Sequence, residues 1–556
     1  MRYVLVSGGV ISGVGKGIIA SSTGLLLKSL GLRISCIKID PYVSVDAGLM
    51  APAEHGECFV LSSGSEVDLD LGNYERHLGV TLTGDNNITT GKIYLEVLQK
   101  ERRGGYLGKT VQIVPHVVDM ILDWIKRVAK VPVDGSGEEP DVCIIELGGT
   151  VGDIENALTQ LRHEAGSNNF LSIFVSYVPS HGLIPDLIAC RCETPLAQGA
   201  VSKIALHCQV EVEQVIVVRD MPTIYQVPLL LREQNLVPLL QSKLNLSGLS
   251  TPPSSVAAGA KLWETWTSVV TKTFDATVDI ALVGKYVQHH DAYLSVEKSL
   301  EHSCMRIGRN LNIRWIDSEH LEPKTQTDEP ERYQAAWDQL KTASGIIVPG
   351  GFGVRGVEGM MLASKWAREN VTPFLGVCLG FQTTVIQYAR DKCCLSGANS
   401  EEFDAGANDH VIIHMPEINR ESMGGTMRLG LHKTIFQSDT EWSKLRAMYS
   451  GAEVIKERHR HRYEVNPQYV ERLTKAGLHF IGKDTKGERM GVFELKDHPY
   501  FVGTQFHAEY QSRVLDPSKP YLGFVAASAG CLYEVIREQG LAASNLTNGV
   551  NGGNHF

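Results

Sequence analysis

A cysteine held between two glycines is the most reactive-looking position in the chain. It lies in P-F-L-G-V-C-L-G-F-Q, Pro373 to Gln382, where an apolar run reaches Cys378 between Gly376 and Gly380 and a helical stretch, Thr383 to Arg390, follows. A strand turning sharply into a helix with a nucleophile at the corner is a nucleophile elbow: the glycines permit the turn, and the helix N-terminus favours a thiolate and an oxyanion. The alternative is a buried cysteine closing a strand. A thiol nucleophile needs a base, and the base needs an orienting acid. F-V-G-T-Q-F-H-A-E-Y, Phe501 to Tyr510, offers both, because a strand ending at His507 puts Glu509 on the same face if the chain stays extended. The basic cluster Glu457 to Glu464, E-R-H-R-H-R-Y-E, reads instead as a solvated charged face. Backbone N–H groups in G-I-I-V-P-G-G-F-G, Gly345 to Gly353, suit an oxyanion hole, although glycines after a strand also make plain turns.

A second chemistry, phosphate binding, is written at the N-terminus. A strand, Tyr3 to Val6, enters S-G-G-V-I-S-G-V-G-K-G, Ser7 to Gly17, followed by a helix (Ile18 to Leu30), Gly31, and a strand (Ile34 to Ile39). Small residues let N–H groups converge on phosphate while Lys16 reaches the outer oxygens. Gly17 stands where a standard Walker A loop has the magnesium-binding Ser or Thr, so metal ligands must come from elsewhere. Asp70 and Glu146 are the candidates; Glu146 sits in a strand, Val142 to Leu147, and ligands in open parallel sheets lie beyond the carboxyl ends of strands. Lys38, near the end of its own strand, is a second candidate phosphate cation.

These residues need large α/β scaffolds, and 556 residues with 54 glycines allow more than one core. The formal charge of −10 argues against nucleic-acid binding. Eleven scattered cysteines without zinc-ligand spacing point to a reducing compartment. Met1 leads straight into a strand and no apolar run nears the ~18 residues of a membrane span, so a cytoplasmic protein is expected. The Ser-, Pro- and Gly-rich stretch Leu244 to Gly259 reads as a linker, a tryptophan-bearing helix follows (Leu262 to Thr273), and a strand, Val278 to Val283, opens the second half. The expected organisation is a first domain over 1–250, a linker over 251–276, a second domain over 277–540 and a disordered tail over 541–556.

The loop S-G-V-G-K-G, then I-K-I-D-P-Y, H-G-E, D-L-D-L-G-N-Y-E-R, D-N-N-I-T-T-G-K-I-Y, Y-L-G-K-T-V-Q-I-V-P-H and E-L-G-G-T-V-G-D-I-E resemble CTP synthases, most of all fungal-type members, almost continuously over residues 1–155. The order Cys378, His507, Glu509 resembles class I glutamine amidotransferases, with Ala508 replacing the usual proline. The resemblance implies an α/β fold of two parts, a Rossmann-like, P-loop-type amidoligase domain and a class I amidotransferase domain, both with mainly parallel sheets. It implies ATP at Ser12, Gly13, Val14, Gly15, Lys16, Gly17, Lys38 and Asp70, and Mg2+ at Asp70 and Glu146. UTP, or CTP as feedback inhibitor, would meet Ser12, Asp153, Ile154 and Glu155. Glutamine would meet Gly351, Leu379, Gly380, Phe381, Gln382, Glu402 and Arg462, and GTP, as activator, Arg355, Thr426 and Arg428; the glycines of Met423 to Gly430 suit a mobile lid, with a plain surface loop as the default. It further implies a homotetramer that can form filaments. One departure stands out: the family's Lys-Thr-Lys-Pro-Thr-Gln segment, which helps bind UTP, is missing between Ser180 and His181. A catalytically impaired homologue with a structural or regulatory role is therefore the alternative.

Overall fold

The computed structural model describes residues 1–9, 13–148, 153–176, 185–418 and 424–538, with only the backbone of Asp153, Glu155 and Asn156. The chain forms two compact units: Met1–Ala47 with Val67–Thr271, and Gly48–Glu66 with Lys272–Phe556. The short segment Gly48–Glu66 thus belongs to the second unit, although it lies within the span assigned by sequence to the first. The expected tail, 541–556, lies outside the described residues.

The first unit is built on a seven-stranded sheet in the order Asn87–Thr89, Ile34–Asp40, Val142–Leu147, Arg2–Gly8, Phe170–Ser176, Leu187–Cys192 and Val215–Arg219. Every neighbouring pair is parallel. Continuous apolar runs such as Val4-Leu5-Val6 are buried on both faces, as all-parallel sheets require. Register, not sequence distance, makes the site: Glu146 pairs with Val6 on one side and with Lys38 on the other. The Leu244 to Gly259 stretch is largely not a linker. Residues Pro253–Val270 form one helix, with proline at its first position, where no N–H is needed. Gly259 serves contact and not flexibility, since a Cβ there would fall 2.6 Å from the Ser29 carbonyl and 2.7 Å from Gly31 N. Trp266 anchors the same helix through its indole N–H to the Tyr225 carbonyl, 3.0 Å away.

The second unit carries a nine-stranded sheet: Asn310–Asp317, Thr277–Gly284, Gly345–Val348, Phe374–Val377, Phe501–Thr504, Met490–Glu494, His479–Lys483, Arg428–Phe436 and Val454–His461. The first five strands are mutually parallel and the remainder antiparallel. Apolar clusters cover both faces, with the helices Leu294–Ile307 and Lys519–Ser528 on one and Val357–Glu369 and Leu379–Lys392 on the other. The basic cluster is not a solvated face: Glu457, Arg458, His459, Arg460 and His461 are all buried. Their strand is the sheet edge, and Gly48–Glu66 covers it. Arg458 donates to the Val60 carbonyl (3.0 Å) and Arg460 pairs with Glu66 (2.8 Å), so the charges are buried but matched. Among the described residues no helix is long and apolar enough to cross a membrane.

Candidate active sites

Cys378 is the residue between the Phe374–Val377 strand and the Leu379–Lys392 helix, at φ 51° and ψ −99°. Left-handed backbone at a non-glycine residue costs roughly 1–3 kcal/mol and persists where the surroundings enforce it. The flanking glycines are that enforcement. A Cβ at Gly380 would lie 2.0 Å from the Val348 carbonyl oxygen, and one at Gly376 would lie 2.8 Å from the Gly380 oxygen. The elbow is packed against the Gly345–Val348 strand and against its own helix start, and only glycine fits at both positions.

The base arrives from the adjacent parallel strand, where Val377 pairs with Thr504. The strand ends at Thr504, three residues earlier than expected, and residues Ala508–Gln511 form a 3-10 turn. His507 and Glu509 therefore meet by the turn and not by extended-strand alternation: Glu509 Oε1 is 2.7 Å from His507 Nδ1. The Tyr521 hydroxyl holds the other carboxylate oxygen at 3.1 Å, a contact with no local signal in the chain. His507 Nε2 is buried without a hydrogen-bond partner among the described residues, leaving that nitrogen for chemistry. Burial alone would lower the His507 pKa, but the Glu509 carboxylate and Cys378 outweigh it and raise it to about 10. The arrangement favours an imidazolium beside the Cys378 sulfur.

Gly350 touches both partners: a Cβ there would lie 2.8 Å from His507 Cε1 and 3.6 Å from Cys378 Cβ. Gly351 lies against Leu379, so the glycine turn and the helix N-terminus flank the thiol together. Lys285, which sequence reading passed over, is buried and donates to the Phe352 carbonyl at 3.2 Å and to the Gly353 carbonyl. Glu402 accepts from the Gly353 N–H at 2.9 Å. Burial lowers the Lys285 pKa to about 8. The only advance signal for Lys285 was its place directly after a strand. Of the glutamine candidates, Leu379, Gly380, Phe381 and Gln382 are buried on the elbow helix, Gly351 lies against Leu379, Glu402 bonds the same glycine loop at Gly353, and Arg462 is half-buried near enough to act on the Glu402 charge. Cys378, His507, Gly350, Gly351, Tyr286 and Arg460 line one cavity.

In the first unit the helix Lys16–Ser29 follows Gly15, which is left-handed (φ 94°), and among the described residues no side chain caps its first N–H groups. Gly13 is left-handed too, Val14 is buried, and Ser12 lies outside the described residues. Gly17 now has a reason: a Cβ there would lie 2.3 Å from Asp70 Oδ1 and 3.4 Å from Glu146 Oε2. Two carboxylates occupy the space that a Walker A hydroxyl would take. Lys38 bonds Glu146 at 2.9 Å and also Asp70, and the Tyr74 hydroxyl bonds Glu146. Burial and Asp70, against the pull of Lys38, raise the Glu146 pKa to about 7; Lys38 overcomes burial at Asp70 and lowers its pKa. No group of three or more His, Cys, Asp or Glu able to hold a metal occurs among the described residues. The donor set fits a magnesium ion that completes its shell with phosphate oxygens and water.

Of the pyrimidine set, Asp153, Ile154 and Glu155 open the helix Asp153–Ala165, and Ile154 packs against the apolar core. The residues around the missing segment, 177–184, lie outside the described ones. Arg355 is engaged by Asp317 (3.2 Å) and Glu319 (3.0 Å). Arg428 begins a strand, Thr426 is half-buried just ahead of it, and Met423 of the expected lid lies outside the described residues.

Residues 288–527 match the family described as glutamine amidotransferase class-I. With the cysteine elbow, and the imidazole and carboxylate just beyond the adjacent strand, they define a class I glutamine amidotransferase unit. Residues 2–182 and 179–246 match the family described as CTP synthase N-terminus, and the two stretches meet where the lysine-rich segment is missing. A CTP synthase of Neurospora crassa is 62% identical over 580 aligned positions, covering 100% of both chains. Those 580 positions leave at least 24 without a counterpart in this chain of 556 residues. CTP synthase of Schizosaccharomyces pombe is 56% identical, covering 97% of this chain and 94% of its own. A solved structure of the Trypanosoma brucei CTPS glutaminase domain with bound acivicin is 39% identical over 46% of this chain and 94% of its own, with a TM-score of 0.42. The chain belongs to the CTP synthase family, and it is a glutamine-hydrolysing ligase.

Proposed function

We propose that this enzyme aminates UTP to CTP, with Cys378 releasing ammonia from glutamine and the first unit spending ATP to activate the pyrimidine. Cys378 Sγ attacks the glutamine carboxamide carbon, and the developing oxyanion is met by N–H groups of the Gly350-Gly351 turn and Leu379. The C–N bond breaks as His507 passes its proton to the leaving nitrogen, giving ammonia and a thioester. Water, deprotonated by the same imidazole, hydrolyses the thioester to glutamate. Glu509 orients His507 throughout. In the first unit Lys16 and Lys38 hold the ATP phosphates, and Asp70 and Glu146 would hold Mg2+, which would neutralise charge on the transferring phosphoryl group. The pyrimidine O4 takes that phosphoryl group, ammonia displaces phosphate, and CTP, ADP and phosphate leave.

The single observation that carries the glutamine half is the His507–Glu509 pair at 2.7 Å beside a strained Cys378. What supports the ATP half is the pair of carboxylates against Gly17. By family likeness GTP activates through Arg355, Thr426 and Arg428, CTP inhibits at the UTP site, and the enzyme works as a homotetramer able to form filaments. Eleven free cysteines support a cytoplasmic, reducing location. The test is CTP formation from UTP, ATP and GTP, with glutamine and separately with ammonia. Failure with both nitrogen sources while glutamine is still hydrolysed would overturn the synthetase reading.

A further inference from the structure

Gln505 lies one residue beyond the Phe501–Thr504 strand and is 2% exposed. Its Nε2 stands 3.7 Å from Cys378 Sγ. Which end of a glutamine amide faces a neighbour is fixed by its other bonds. The Tyr463 carbonyl only accepts, so the Gln382 atom 3.0 Å from it is Nε2. That same nitrogen donates to Gln505 Oε1 at 3.2 Å, so the Gln505 atom left facing sulfur is the donor. Besides His507, the sulfur also lies 3.6 Å from the Arg460 carbonyl. A neutral thiol can donate to that carbonyl, whereas the Gln505 N–H serves the anion better. An amide stabilises the thiolate without placing a second cation beside His507.

On the reading of Cys378 as the nucleophile, we propose that Gln505 is a further catalytic residue of glutamine hydrolysis: its amide N–H hydrogen-bonds the Cys378 thiolate, with Gln382 as the positioning residue that aims it. The donor holds charge on sulfur before attack and fixes the direction from which sulfur approaches the carboxamide. It releases sulfur as the C–S bond forms, when the negative charge moves to the oxyanion of the tetrahedral intermediate. The effect belongs to reactivity and not to glutamine affinity.

The experiment is alkylation of the full-length protein by iodoacetamide across pH, following the Cys378 peptide by mass spectrometry because ten other cysteines are present. In Gln505→Leu the midpoint should rise by about one pH unit, so that alkylation at neutral pH slows about tenfold. Glutamine hydrolysis should lose at least about tenfold in kcat with KM nearly unchanged. Gln505→Glu, which sets an acceptor against the thiolate, should shift further. Ammonia-dependent CTP formation reports folding; if Gln505→Leu fails there, Gln505→Met carries the same expectation. An unchanged alkylation profile in the folded variants, or a loss confined to KM, overturns the assignment while leaving Cys378 as nucleophile. Wild-type protein in which the Cys378 peptide does not react overturns both readings.

Discussion

At the scale of single residues, the His507–Glu509 pair makes the clearest claim, because a buried imidazole can keep its proton only beside a matched charge. Its pKa is raised to about 10, and an unfolded histidine titrates near ~6.5, so protonation favours the folded state. That stabilisation is complete below ~6.5 and disappears as pH rises through about 10. Glu509→Gln should therefore destabilise the protein by about 3–5 kcal/mol at pH 6, since it leaves a buried charge unpaired. Thermal melts of wild type and variant at pH 6 and pH 10 check this; a gap of the same size at both would remove the ion pair from the account. The same variant should lose kcat for glutamine hydrolysis by at least about a hundredfold, in line with orienting acids in catalytic triads.

At the scale of elements, the strand–turn–helix junctions are set by close backbone approach. Gly380→Ala forces a Cβ to 2.0 Å from a carbonyl that cannot move without breaking its strand, and should cost about 3 kcal/mol or more. Gly487→Ala meets nothing within 4 Å and pays only for its positive φ, about 1 kcal/mol. Denaturant melts of the two variants should separate by at least about 2 kcal/mol, and equal losses would show that the elbow relaxes. The phosphate loop gives the mirror case. Gly17→Ser rebuilds the Walker A residue, yet its Cβ collides with Asp70. It should abolish CTP formation from glutamine and from ammonia alike while sparing glutamine hydrolysis. Magnesium-dependent CTP formation at the wild-type rate would mean that Asp70 is not needed where it stands.

At the scale of the whole molecule, two chemistries share one chain and should be separable by mutation. Cys378→Ala should abolish glutamine-dependent CTP formation and spare the ammonia-dependent route, whereas Lys16→Ala should stop both. Loss of both routes in Cys378→Ala would make the cysteine structural. By family likeness the missing lysine-rich segment bears on only one of these chemistries, since it would supply cations to a triphosphate. Restoring it between Ser180 and His181 should lower the KM for UTP and leave glutamine hydrolysis unchanged; an unchanged KM would show that the remaining residues suffice.

The linear sequence determined much of this protein because its signals are local. Apolar runs marked the central strands of both sheets, paired glycines marked the elbow at Cys378, and His507 with Glu509 stood two residues apart in a single motif. What depends on register and distant contact was decided only in three dimensions. Glu146 meets Lys38 because their strands are neighbours in the sheet, not in the chain. The charged strand Val454–His461 is buried because Gly48–Glu66, some 400 residues away, covers it and matches its charges. Pro253 and Gly259 read as a linker, yet one opens a helix and the other lets that helix pack against the Lys16–Ser29 helix. Periodicity and spacing report what a segment can do alone. Which polar groups become buried partners is set by the fold, since desolvation and hydrogen-bond matching act on neighbours in space.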